Sequence, residues 1–141
     1  METYKKIDIA KSQLETAIRF FLVGEDYFSS ITLAGAAEEI YGKILQLLGK
    51  ESALHSYSRS MEELAPVLLG TEIDANEVRK LMNFPRNALK HFNDLAEQTV
   101  TIDPEKCARD LIHRAVLNFR KVGMQESLVV ERFEKLFDED I

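Results

Sequence analysis

The sequence predicts an all-α protein, an up-and-down bundle of five or more helices. Three observations predict it. Apolar residues recur at three- and four-residue spacing along several long stretches. Cap and turn signals, such as Gly24-Glu25-Asp26, Gly70-Thr71 and Asp103-Pro104-Glu105, separate those stretches. No run alternates apolar and polar residues as a half-buried strand would.

Residues 3–23 read as the first helix, with Ile7, Ala10, Leu14, Ala17, Ile18, Phe21 and Leu22 on one side and Lys5, Lys6, Lys11, Glu15 and Arg19 on the other. Gly24 suits its C-terminal cap and Asp26 the N-cap of the next helix. Residues 27–48 give the widest apolar arc, through Ile31, Ala34, Ala37, Tyr41, Ile44, Leu45 and Leu48. Glu38 falls inside that arc, whereas Glu39 falls outside it and is placed to pair with Lys43. A carboxylate on an apolar face either reaches solvent or meets a donor, because burying it unpaired is costly. Arg86 is the leading donor from another helix. Gly35 and Gly42 lie on the flank beside Glu38, and each costs a helix ~1 kcal/mol against alanine. They predict a close helix crossing there.

Residues 52–70 keep helical spacing through Leu54, Tyr57, Met61, Leu64 and Leu68, but Pro66 is expected to begin, kink or end a segment. Asp74-Ala75-Asn76-Glu77 resembles a capping box and starts a short helix with Val78, Leu81 and Met82 as its apolar side. That helix bends into a segment opening at Pro85, capped by Asn83 or Phe84, whose apolar face is Ala88, Leu89, Phe92, Leu95 and Ala96. Val100-Thr101-Ile102 is an extended connector. Asp103-Pro104-Glu105 opens a helix carrying Ala108, Leu111, Ile112, Ala115, Phe119 and Val122. A last helix, about 125–137, presents Leu128, Val129, Phe133 and Leu136, and Asp138-Glu139-Asp140 reads as a solvated tail.

A length of 141 residues suits one domain, 1–141, with its own core. The opening residues show no signal-peptide pattern, and no apolar run approaches a membrane span. Cys107 is the only cysteine, which excludes an internal disulfide and a multi-cysteine zinc site and fits a reducing cytoplasm. His55, His91 and His113 are scattered, so neither metal nor cofactor is expected. His55 and His113 read as surface or boundary residues, Cys107 as a small half-buried filler, and Tyr41 and Phe92 as core. The net charge of −6 does not advertise nucleic-acid binding. Arg79, Lys80, Arg86, Lys90 and His91 nevertheless form a local basic cluster on that acidic chain.

That cluster contains Arg86-Asn87-Ala88-Leu89-Lys90-His91-Phe92. On one helix Asn87 and His91 would share a face, as would Arg86 and Lys90. Arg86 and His91 would stand about 140° apart around the axis and ~7.5 Å along it, flanking a bound group from two sides. The pattern is similar to the Arg-x4-to-6-His signature of the HEPN superfamily (higher eukaryotes and prokaryotes nucleotide-binding). The order of features resembles it too, with two long helices first and a second-helix stretch Ala36-Ala37-Glu38-Glu39-Ile40-Tyr41-Gly42-Lys43. The signature follows in the second half, then a helix opening Asp103-Pro104-Glu105.

The resemblance implies an all-helical HEPN-like domain, with Arg86 and His91 in the family's catalytic positions. Asn87 takes the polar neighbour's place, Glu38 the acidic helix-two place, and Lys90 supports. It implies a homodimer whose two signature segments line one RNA-cutting cleft, with no metal, in the manner of toxin or phage-defence ribonucleases that work beside an antitoxin. Position 93 is Asn93, where many members paired with a nucleotidyltransferase have tyrosine, which argues against that partner. Two other readings stand beside the nuclease. One is a non-catalytic dimeric binding module in which Arg86, Asn87 and Glu38 form a structural polar network. The other is a small-ligand or nucleotide pocket with the basic residues as phosphate contacts.

Overall fold

A computed structural model describes residues 1–139. Its first element, α1 (Lys6–Val23), stops where Gly24 takes a left-handed φ of 74° and returns its N–H to the Phe20 carbonyl. Two residues later Asp26 accepts a hydrogen bond from the Ser29 N–H and starts α2 (Tyr27–Leu47). Ser30, fully buried, donates to the Ala17 carbonyl at 2.8 Å and ties the two helices together. Asp103 caps α5 (Pro104–Lys121) by accepting from the Lys106 N–H, with proline in the first turn. The Ser127 hydroxyl does the same for the Val130 N–H at the start of α6 (Leu128–Glu139) while donating to Glu15 of α1.

These four helices make the core. Leu14, Ile18, Ile31, Ile112, Phe119 and Phe133 are among its fully buried side chains. Tyr41 meets Phe119 edge-to-face at 6.0 Å, and Phe21 meets Phe133 in the same way at 5.7 Å. The remaining two helices, α3 (Ala53–Leu69) and α4 (Ala75–Ala88), pack chiefly on each other, α3 touching α5 and α4 touching α2 more lightly. Only Ala53, Ser58 and Ala65 of α3 are buried, and no residue of α4 is. Glu62 of α3 accepts the Ala75 N–H at 2.7 Å, so one helix caps the other.

The architecture expected from the sequence is thus all-helical, with six α-helices and no strand among the described residues. Several details differ. Pro66 neither begins nor breaks a segment, because it lies in the last turn of α3, where only the Glu62 carbonyl loses its partner. Pro85 likewise sits inside α4 and opens no new helix. The helix ends at Ala88, a turn follows at Leu89-Lys90, and a 3-10 turn at Leu95–Glu97 is all that remains of the expected second half. Phe92 and Leu95, read as inward-facing, are 66% and 76% exposed. Glu39 approaches Arg86 instead of Lys43, whose ammonium donates to Gln46. The last helix starts three residues later than expected and takes in Asp138 and Glu139; Asp140 lies outside the described residues.

Candidate functional site

The site is built where α4 crosses α2 and α5. Gly35 makes the crossing close, since a Cβ there would stand 2.5 Å from the Arg86 Cδ and 2.6 Å from its Cγ. With hydrogen at that position the Arg86 stem lies against the α2 backbone, and its guanidinium reaches the carboxylate one turn further on. Arg86 Nη1 donates to Glu38 Oε2 at 3.4 Å and lies 3.7 Å from Glu39 Oε2. The Arg86 side chain is 13% exposed and that of Glu38 is 4% exposed. Gly42, one turn along, faces Asn118 and Ser52 at ordinary contact distances of 3.6 and 3.8 Å.

Glu38 has a second cationic partner. Arg114 of α5 donates to the same Oε2 at 3.3 Å, to the Met82 carbonyl at 3.1 Å and to Asn83 Oδ1 at 3.3 Å. One guanidinium therefore binds α2 and α4 to α5. Burial pushes it below the ordinary arginine range, Glu38 opposes that push, and the neighbouring Arg86 adds to it. Asn118, four residues on and fully buried, extends the network by donating to the Glu38 carbonyl and accepting the Ala53 N–H at the start of α3.

The other expected site residues do not gather on one helix face. Asn87 is exposed, and its Oδ1 accepts from Arg86 Nε at 3.4 Å. Lys90 lies in the turn, its N–H on the Asn87 carbonyl. His91 falls beyond the helix and is exposed, so Asn87 and His91 share no helical face. Arg86 stands in the last turn of α4 and His91 follows the two-residue turn at Leu89-Lys90, so the helical separation expected for them does not hold. Exposed apolar side chains surround this segment, with Leu81, Phe84, Phe92 and Leu95 all half or more exposed.

Arg114 and Asn118 were not singled out from the sequence, although a signal exists. They stand four apart within the apolar arc that also holds Leu111, Ala115 and Phe119. A polar pair at that spacing inside a buried stripe requires partners. His113 lies outside this network, with its ring 4.9 Å from Phe137. Cys107 is half-buried, and burial followed by the nearby Asp110 raises its thiol pKa. Among the described residues no cluster of histidine, cysteine and carboxylate is arranged to hold a metal ion, and no helix is long and apolar enough to cross a membrane.

No protein-family model matches the chain, and neither a curated protein nor a solved structure does.

Proposed function

We propose that the chain is a HEPN-type, metal-independent endoribonuclease that works as a homodimer, with Arg86 and His91 of both copies lining one cleft. The observation that carries this reading is the anchoring of Arg86. A buried carboxylate and a glycine crossing hold one arginine in place, five residues before an exposed histidine, in a segment ringed by exposed apolar side chains. Those apolar side chains suit an isologous contact that would bring two such segments together.

In that cleft the ribose 2′-oxygen attacks phosphorus, a 2′-O–P bond forms, and the bond from phosphorus to the 5′-oxygen breaks. One His91 takes the 2′-hydroxyl proton, and its counterpart returns a proton to the departing 5′-oxygen. Arg86 binds a non-bridging oxygen as charge accumulates on it. The products are a 2′,3′-cyclic phosphate and a 5′-hydroxyl, and toxin or phage-defence work beside an antitoxin is the setting in which such an activity fits.

A specific observation favours a second reading, the non-catalytic dimeric binding module. Arg86 already has two carboxylates within 4 Å, and His91 lies off the helix. One experiment decides between them. Purified wild-type and His91→Ala protein are incubated with several RNAs, transfer RNA included, in the presence of chelator. Cleavage by the wild type that leaves cyclic phosphate, and falls by about 10²–10⁴ in the variant, supports the nuclease. Equal cleavage by both proteins means a contaminant, and cleavage by neither supports the binding module. Light scattering should give about twice the chain mass of 16.1 kDa; a monomer at tens of micromolar (on the order of the Kd such an interface must beat) would remove the shared cleft.

A further inference from the structure

A pocket of about 660 Å³ opens between α3, α4 and α5, within the size range of small-ligand sites. It is there because α4 packs chiefly on α3, while Arg114 spans the gap from α5 to the Met82 carbonyl and Asn83. Its walls are mostly apolar, with Leu81, Met82 and Pro85 from α4, Leu111 and Leu117 from α5, and the Tyr57 ring from α3. Leu81, Leu117 and Tyr57 stay exposed, so the mouth is apolar and open to solvent.

Most charged groups at its edge are engaged. Lys106 and Asp110 pair with each other at 2.6 Å, and Arg86 meets Glu38 and Glu39. Arg114 differs. It is 7% exposed, and its Nη1 and Nη2 donate to groups of α2 and α4, but its Nε is buried with no acceptor among the described residues. Buried donors are nearly always paired, so this one requires a reason. The charge is also incompletely answered, because Glu38 is the one buried carboxylate between Arg114 and Arg86, and Glu39 is exposed. Burial disfavours the Arg114 charge, Glu38 favours it and Arg86 disfavours it again, with the balance on the lowering side; a further anion would favour it.

We propose that this pocket binds a monocarboxylic acid with an apolar tail, its carboxylate accepting from Arg114 Nε and its tail lying among Leu81, Pro85 and Leu117. One unpaired N–H and one under-answered charge suit a singly charged head, and an ionised acceptor makes the stronger bond to a guanidinium. The walls add affinity with each methylene they cover. Nε has no exposure of its own, so the head group parts neighbouring side chains to reach it, and the Arg114 side chain must respond to binding. Arg86 borders the pocket as well, so the site is read by binding and not by cleavage, and it rests on neither reading of the function.

The test follows backbone amide and arginine Nε–Hε NMR resonances of the full chain. The probes are octanoate, 1-octanol, which keeps the tail without the charge, and acetate, which keeps the head without the tail. Octanoate should move the Arg114 Nε–Hε resonance and the amides of Leu81 and Leu117, with a Kd of roughly 1 mM or tighter. 1-Octanol should bind at least tenfold more weakly, and acetate should leave these resonances in place. Leu81→Glu changes a side chain that is 75% exposed, so the fold should survive, and repulsion of the head group should raise the Kd for octanoate tenfold or more. No response to octanoate at concentrations on the order of 10 mM would overturn the proposal. So would equal binding of octanoate and 1-octanol, equal shifts from acetate, or an affinity indifferent to Leu81→Glu. Shifts of Leu81 and Leu117 that follow protein concentration without any ligand would overturn it too, by showing that a second copy covers the pocket.

Discussion

The body of α1, α2, α5 and α6 and the pair α3–α4 are held by different physics. In the body, apolar arcs close on one another, and Phe119, Ile112 and Leu14 lose all exposure. In the pair, the apolar stripe of α3 stays open to solvent at Leu64 and Leu68, and α4 buries nothing completely. What fastens α3 and α4 to the body is largely polar, namely Arg86 and Arg114 on Glu38, Arg114 on the Met82 carbonyl, and Asn118 on the Ala53 N–H. Hydrophobic burial is non-directional, so it supports the body whatever the fine geometry. A buried charge network depends on every member having its partner. The difference teaches where a change will be global and where it will be local.

The largest expected effects test that division directly. Phe119→Ala should cost about 3–5 kcal/mol and weaken every helix together, as measured by denaturant unfolding. Glu38→Ala should cost a similar amount, since it leaves two arginines facing each other out of water. Its hydrogen exchange should differ, however, with the amides of α3 and α4 losing protection first while α1 and α5 keep theirs. Uniform loss in both variants would mean that the two regions unfold as one.

A smaller effect is expected at the crossing. Gly35→Ala should destabilise by about 1–3 kcal/mol, because the new methyl must displace the Arg86 stem from the α2 backbone. It should also lower any RNA cleavage more than it lowers stability. An unchanged melting temperature would show that α4 can shift aside freely.

The smallest effect lies within the body. Burial, aided by Glu15 and Asp8, raises the Tyr41 pKa far above its ordinary value, and its hydroxyl finds no partner among the described residues. A folded-state pKa above the unfolded one means that the contribution is whole below about pH 10 and declines as pH rises past it. There the unfolded chain releases the phenolic proton while the folded chain keeps it. Tyr41→Phe should therefore leave stability near neutral pH within about 1 kcal/mol of wild type. It should also flatten the alkaline decline. Denaturation at about pH 8 and about pH 10.5 measures both.

Much of this fold was legible because its signals are local. Asp26, Asp103-Pro104 and Gly24 mark helix ends with their own backbone chemistry, and the structure places ends there. The Glu38–Arg86 contact over Gly35 was legible for another reason, since a carboxylate inside an apolar arc beside a costly glycine demands both a donor and a close neighbour. The signature helix was misread at Pro85. Proline suits a first turn, but it is also tolerated near the end of a helix already propagating from Asp74, and the sequence alone does not separate the two positions. The spacing of Ala88, Leu89, Phe92 and Leu95 then completed a helix that does not form. Arg114 was passed over because a single charge inside the apolar arc of α5 looks like an interruption until Asn118, four residues on, is counted with it.

The carboxylate of Glu38 has two cationic neighbours where one would satisfy it. Arg114 is buried and makes two further hydrogen bonds, to the Met82 carbonyl and to Asn83. Arg86 also meets Glu39 and Asn87, and it lies slightly nearer the surface. Were Arg86 to turn toward an anion, as the proposed cleavage would require, Glu38 would keep Arg114 as its partner. The doubled pairing is a spare tether: Arg114 also holds the Met82 carbonyl and Asn83, so the helix that carries Arg86 is moored to Glu38 twice over.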